Sequence, residues 1–503
     1  MIAKVLSYAL TGLNGFPVEV EVDVNNGIPA FEIVGLGDTA VRESKERVRS
    51  AIKNSGRVLP SRRITVNLAP ADVKKEGSYL DLSLAVGLLI SSSQLVANVS
   101  DTIFLGELSL DGGIRKVRGV LPTLIEALKS GYKKFIIPYE NSEEASYVDG
   151  AFVYPAKTLA EVIDHISGLK EIPVLEKKKF IQGEKFNIYD SDLAFVKGQK
   201  TAKRALEVAV SGGHNILFVG APGTGKTMLA KCIPTIMPDM TFEEALETTK
   251  IHSVAGFLKS TDGIVYKRPF RSPHHTASTV SLTGGGINIK PGEISLAHNG
   301  VLFLDEMPEY QRSTLEALRQ PLEDKIITVS RSSGSVSFPA DFILCGSMNP
   351  CPCGNYGSST KICTCTPSQV AKYKAKLSGP LLDRVDLQIY VDEVKYTELS
   401  NDKDAETSET VRKRVNRTRI IQKERFKQDG ILTNANMGEK HIKKYCKLSS
   451  ECETILKVAY ENLKLSPRAR GRIIKVARTI ADMSLYEEIR PEHILEAISY
   501  RQG

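Results

Sequence analysis

Residues 215–230, NILFVGAPGTGKTMLA, contain the pattern G-x-x-x-x-G-K-[ST] as Gly220, Ala221, Pro222, Gly223, Thr224, Gly225, Lys226 and Thr227. An apolar run precedes it and a helical run, MLAKCI, follows it. That strand–loop–helix setting separates the pattern from a chance glycine-rich turn. Gly220, Gly223 and Gly225 let backbone N–H groups face phosphate oxygens where a side chain would collide, and the helix beginning at Lys226 adds its positive end. Lys226 brings charge to the outer phosphates of a nucleoside triphosphate, and the Thr227 hydroxyl suits a Mg2+ ligand.

A second chemical element is GVLFLDEMPEY, residues 300–310. Its apolar stretch 301–304 reads as a buried strand that delivers Asp305 and Glu306 to its C-terminal edge. Asp305 suits the Mg2+ shell, and Glu306 suits the polarisation of an attacking water. Acids often end strands, so the pair draws its meaning from the phosphate loop upstream. Further on, FILCGSMNP (342–350) reads as a strand ending at Asn349, an amide placed to orient water against a γ-phosphate; the plainer reading is an Asn-Pro turn. GPLLDRVDLQIYV (379–391) presents Arg384, which suits a finger reaching a neighbouring subunit's γ-phosphate. Its plainer alternative is an intrachain ion pair with Asp383 or Asp386.

These residues need a scaffold, and the chain is long enough for one. Its 503 residues suggest roughly three domains, and 42% hydrophobic with 25% charged residues is the balance of a soluble globular protein. The formal charge of +8 permits a polyanionic partner without requiring one. The most apolar run, LDLSLAVGLLI, is too short to cross a bilayer and contains Asp81, and the N-terminus lacks a leader pattern, so a cytoplasmic protein is expected. Residues 1–168 alternate strand and helix patterns as a compact α/β domain, 169–192 form a linker, and 193–394 form a nucleotide-binding α/β core. Residues 395–503 open with a polar stretch and continue as helices.

Taken together, GHNILFVGAPGTGKTMLA, RPFRSPHHTAS, PGEISLAHNGVLFLDEMPEY, CGSMNPCPCG and SGPLLDRVDL resemble the Mg-chelatase-like AAA+ ATPases of the ComM/YifB family over nearly the whole chain. The resemblance implies an α/β chain with an N-terminal domain of the Lon-protease-like, ribosomal S5 domain 2-like fold, a central AAA+ P-loop NTPase core and a C-terminal helical lid. It implies ATP with Mg2+ as cofactors, Lys226 and Thr227 as Walker A residues, and Asp305 and Glu306 as Walker B residues. Asn349 becomes sensor 1, Arg384 the finger acting in trans, and Arg468 the sensor 2 arginine, with Arg470 a close rival. Gln199 belongs to VKGQKTAKRAL, which matches the segment lining the adenine pocket.

In the first domain, KKEGSYLDLSLAVGLL is similar to the Lon stretch that carries the nucleophilic serine, but Tyr79 stands at the serine position. Leu121 stands where the partner lysine belongs, although Ser78 and Lys116 lie nearby in a shifted register. Without a nucleophile and base in reach, no peptidase activity is expected.

Two insertions bear on what hydrolysis drives. KRPFRSPHHTASTVSLTGGGINIKPGE carries Arg268, Arg271 and Lys290, and KIITVSRSSGSVSFPADF reads as a β-hairpin around Ser333-Gly334 with Arg331 near its tip. In the insert class that the resemblance implies, such hairpins enter a central pore, where basic residues suit a phosphate backbone. The alternative is packing between subunits. The helical VRKRVNRTRIIQKERF (411–426) is densely basic but reads first as a solvated helix. Cys351, Cys353, Cys363 and Cys365 cluster as two C-x-C pairs able to close a tetrahedral Zn2+ site. The expectation is a hexameric DNA motor acting on single-stranded or branched DNA in recombination and natural transformation. The rivals are a Mg-chelatase motor and a protein-remodelling or Lon-like peptidase machine.

Overall fold

Period-two alternation builds the first sheet. In β2 (Asn14–Asn25), Val18, Val20, Val22 and Val24 are buried while the acids between them stay partly exposed, and the strand pairs antiparallel with β1 (Ile2–Thr11). β3 (Ala30–Val34) and β4 (Arg63–Ala69) extend one side of this hairpin, and β5 (Thr102–Phe104) extends the other. β6 (Glu107–Leu108) and β7 (Ile114–Arg115) form a separate short ribbon, while β8 (Lys134–Pro138) and β9 (Phe152–Ala156) complete a seven-stranded sheet ordered β3-β4-β2-β1-β5-β8-β9. The computed structural model describes residues 2–501 apart from 76, 184–188, 287–288, 332–333, 359–360, 395–405 and 464.

The two faces of that sheet carry separate cores. On one, Val5, Val20 and Val66 pack against α1 (Thr39–Asn54) and α2 (Asp81–Ser91); on the other, Tyr8, Ile103 and Phe135 pack against α3 (Val120–Lys129). Asp38 caps α1 by accepting from Val41 N–H at 2.9 Å. α2 is buried on nearly every side, which explains a sequence without an amphipathic stripe.

The second sheet is wholly parallel. β10 (Ile216–Val219), β11 (Phe270–Arg271), β14 (Val301–Leu304), β17 (Ile343–Met348) and β18 (Leu387–Tyr390) lie in the order β11-β14-β17-β10-β18. Uninterrupted apolar runs in β10, β14 and β17 are buried throughout, as strands covered on both faces require. Around them lie α4 (Lys200–Gly212), α5 (Lys226–Ile236) and α6 (Phe242–Ala255). Two antiparallel ribbons stand outside the sheet: β12 (Gly284–Gly285) with β13 (Lys290–Pro291), and β15 (Ile326–Arg331) with β16 (Gly334–Pro339).

The C-terminal part is helical, with α7 (Ser408–Arg425), α8 (Pro467–Met483) and α9 (Pro491–Ser499). Val415, Ile473, Ile480 and Ile494 enter the same core as Ile216, Phe218 and Ile233. The basic residues of α7 are largely matched inside the chain: Arg414 meets Glu207 at 2.6 Å, Arg425 meets Asp482 at 2.7 Å, and Arg412 lies 3.8 Å from Asp239. The first sheet's layer meets the second through Ser253 donating to Glu144 at 2.7 Å, Lys116 Nζ donating to the Leu258 carbonyl at 2.7 Å, and the Tyr147 and Tyr266 hydroxyls at 2.9 Å. Among the described residues no helix is long and apolar enough to cross a membrane.

Candidate functional site

The parallel register brings the chemistry to one edge. β17 runs between β10 and β14, pairing Val219 with Met348 and Leu304 with Gly346. The residues just beyond those strands, Gly220, Asp305 and Asn349, therefore emerge together at the C-terminal edge of the sheet, the usual ligand side of such a fold.

The phosphate-loop segment turns from β10 into α5 through Gly225, which sits at φ +90° before the helix begins at Lys226. Within the protein itself, a Cβ at Gly220 would meet the Val391 carbonyl oxygen at 2.4 Å. Thr224 ties the loop to itself through the Ala221 carbonyl at 2.9 Å. Pro222 packs where a Cβ on Gly354 would meet its ring at 2.6 Å, so the cysteine loop leans on this segment. Gln199 also reaches it, donating to the Asp392 carbonyl at 2.5 Å and the Thr224 carbonyl at 3.4 Å. Lys226 Nζ donates to the carbonyls of Gly220 (2.7 Å) and Ala221 (2.8 Å) and lies 3.4 Å from Asn349 Oδ1. Burial works to lower the Lys226 pKa, while Asp305 and Glu306 favour its charge.

Thr227 Oγ1 donates to Asp305 Oδ2 at 3.1 Å. A hydroxyl and a carboxylate converging this way are the oxygen donors that Mg2+ takes. Glu306 follows in the left-handed region (φ +51°, ψ +48°), which turns its half-exposed side chain away from the strand direction. Its carboxylate lies 3.7 Å from Nδ1 of His275, which belongs to the first insertion.

Arg384 and Arg468 form a second group. The Arg384 side chain is almost wholly buried, donating to the Pro380 carbonyl at 2.6 Å and to Glu323. Burial pushes its pKa down, with Glu323 opposing. Arg468 is exposed, and its Nη1 lies 3.9 Å from the same Glu323 carboxylate, whereas Arg470 pairs with Glu453 at 2.9 Å. Glu323, at the end of the short helix Arg319–Asp324 leading into β15, had no signal in the sequence. Neither Asp383 nor Asp386 takes the Arg384 guanidinium: Asp383 accepts from Ser466 at 3.3 Å, and Asp386 is held by Arg472 at 2.7 Å. Burial opposes the charge on Asp386, but Arg472 and His214 hold its carboxyl well below the usual range.

The four clustered cysteine sulfurs lie within 4.8 Å of one another, with Cys351–Cys353 at 3.4 Å, Cys351–Cys363 at 3.7 Å and Cys353–Cys363 at 3.6 Å. Tetrahedral Zn2+ with bonds of about 2.3 Å needs sulfur separations of about 3.8 Å, so the cluster, Cys365 included, fits that ion. Backbone N–H groups of Asn355 and Thr364 push the Cys353 thiol down to about 5.

Two expected DNA contacts are corrected. Arg268 is buried, donating to Glu244 at 2.9 Å, the Pro238 carbonyl at 2.8 Å and the Asn299 carbonyl at 3.0 Å. Arg271 belongs to β11, an edge strand of the central sheet rather than a projecting insertion, and is clamped by Glu293 at 2.6 and 2.8 Å. Both guanidiniums already have their anions. Lys290 is exposed on the β12–β13 ribbon, and Arg331 ends β15 opposite Gly334; the turn at Ser332 and Ser333 lies outside the described residues.

In the first layer, Tyr79, Ser78 and Lys116 line one cavity of about 530 Å3. Ser78 donates to Glu107 and Lys116 to Leu258, while Leu121 is fully buried.

A central phosphate-loop strand, an intervening strand ending in Asn349 and an acid-pair strand, with a helical region packed beside them, define an AAA+ ATPase. Three family profiles divide the chain: "Subunit ChlI of Mg-chelatase" matches 20–141, "Magnesium chelatase, subunit ChlI" matches 192–399, and "Magnesium chelatase, subunit ChlI C-terminal" matches 405–501. The chain is 44% identical to "Competence protein ComM" of Haemophilus influenzae over 99% of its own length and 97% of the relative's. It is also 44% identical to "Uncharacterized protein YifB" of Escherichia coli, over 98% and 96% respectively. With "Lon protease 2" of Bacillus subtilis it shares 28% identity over 30% of each chain. The chain belongs to the ComM/YifB family of Mg-chelatase-like AAA+ ATPases.

Proposed function

We propose that this ATPase assembles as a ring of six protomers in the cytoplasm and couples hydrolysis to movement along single-stranded or branched DNA, in branch migration or unwinding during recombination and uptake of transforming DNA. The observation that carries the reading is the pair of two-stranded ribbons that pair apart from the central sheet, one with exposed Lys290 and one ending at Arg331, in a chain 44% identical to a competence protein. Phosphate backbones are bound by such charges without base reading.

Within this reading, residues 220–227 cradle the phosphates and Gln199 steadies that loop. Thr227 and Asp305 hold Mg2+, which when bound offsets charge on the phosphates. Glu306 accepts a proton from the attacking water, and Asn349, beside Lys226, fixes that water's position. Arg384 acts on the nucleotide of the next protomer, and Arg468, which approaches the same Glu323, serves as the sensor 2 arginine of the lid. Zn2+ held by Cys351, Cys353, Cys363 and Cys365 stiffens the loop that leans on Pro222. Residues 1–168 shape the ring or bind a partner without peptidase activity, 169–192 link them to the core at 193–394, and 395–503 form the lid.

ATP turnover measured with branched DNA, porphyrin and unfolded protein as separate stimulants tests the reading. DNA alone should raise the rate; a rise with porphyrin or unfolded protein and none with DNA overturns it.

A further inference from the structure

Ser347 lies outside the nucleotide-binding pattern, yet it contacts both members of the acid pair. We infer that Ser347 is a positioning residue for Asp305 and Glu306, fixing the carboxylate of one and the backbone turn of the other. The inference rests on the chain being an ATPase.

The register demands the proximity. Leu304 pairs with Gly346, so one step further along the parallel strands Asp305 stands beside Ser347. The serine hydroxyl donates its single proton to Asp305 Oδ1 and accepts from the Glu306 N–H at 3.1 Å. Asp305 is thereby held from two sides, with Thr227 on Oδ2 at 3.1 Å and Ser347 on Oδ1. Glu306 needs the other half of this arrangement. Its φ of +51° is a conformation that a residue with a side chain adopts at a cost, and it persists where surrounding bonds fix it.

Ser347 is fully buried, and every residue of β17 around it is buried too. The hydroxyl is thus shielded from solvent, and a polar group in such a strand needs its partners. Asn349 follows two residues later, just past the end of β17, and its amide oxygen lies 3.4 Å from Lys226 Nζ.

The test compares Ser347→Ala, Ser347→Cys and Ser347→Thr in the full chain, with ATP turnover and binding of a fluorescent ATP analogue measured separately. Ala and Cys should lower kcat by roughly 10- to 100-fold while nucleotide affinity stays within about threefold, because a misplaced acid costs rate rather than binding. Thr keeps the hydroxyl and should recover most of the rate. Should Ala destabilise the fold, the Cys and Thr pair decides the matter, since thiol and hydroxyl are close in size. Wild-type kcat in the Cys variant, or equal losses of rate and affinity in Ala and Cys, overturns the inference. A wild-type chain that turns over no ATP refutes the ATPase reading instead.

Discussion

Arg384 donates to Glu323 at the foot of the β15–β16 ribbon, and this contact ties the arginine of one functional group to the element proposed to touch DNA. A role in trans requires that pair to open. Arg384→Ala is expected to lower ATP turnover by roughly 10^3-fold or more while nucleotide still binds. Mixing it with Lys226→Ala, which keeps its arginine, should restore part of the rate. Absence of any recovery in the mixture removes the support for action across protomers.

Glu306→Gln keeps the side chain's size and the left-handed turn but removes the proton acceptor. Turnover should fall roughly 10^2- to 10^4-fold with ATP retained in a stable loaded oligomer. Wild-type turnover would refute the assignment of the base.

Fold and nucleotide edge were legible because they rest on local patterns. The alternating valines of β2, the apolar runs of β10, β14 and β17 and the glycine spacing at 220–225 each act within a few residues. The Glu323–Arg384 pair and the His275–Glu306 approach join residues far apart in the chain, and nothing local announces them. Arg268 and Arg271 misled for the opposite reason. Their basic, glycine- and proline-flanked setting resembles a surface loop, but β11 pairs with β14 and turns both guanidiniums onto Glu244 and Glu293.

That correction has a measurable consequence. Arg268→Ala should lower stability by roughly 1–3 kcal/mol, because the Pro238 and Asn299 carbonyls and Glu244 all lose a buried donor. Lys290→Ala should leave stability nearly unchanged and reduce the salt dependence of DNA binding by about one unit of log–log slope. Thermal unfolding and binding titrations at several salt concentrations separate the two.

Burial lowers the pKa of His165, His214, His252 and His493. Below the ordinary value of about 6.5 the unfolded chain then binds more protons than the folded one, so stability falls as pH falls from 7 towards 5. Replacing fully buried His214 by Gln should flatten that slope. A Tm that rises on acidification contradicts this reading.

Metal analysis should find about one zinc per chain, and Cys351→Ser should lower that content and the Tm together. Retention of a full equivalent in the serine variant excludes this cysteine as a ligand.

The central claim is a nucleotide-bound ring on DNA, and a particle mass tests it most directly. Glu306→Gln, with saturating ATP and a forked duplex, should appear as a complex of six chains of 55.2 kDa plus the DNA. Particles that remain at the mass of one chain under those conditions contradict the account.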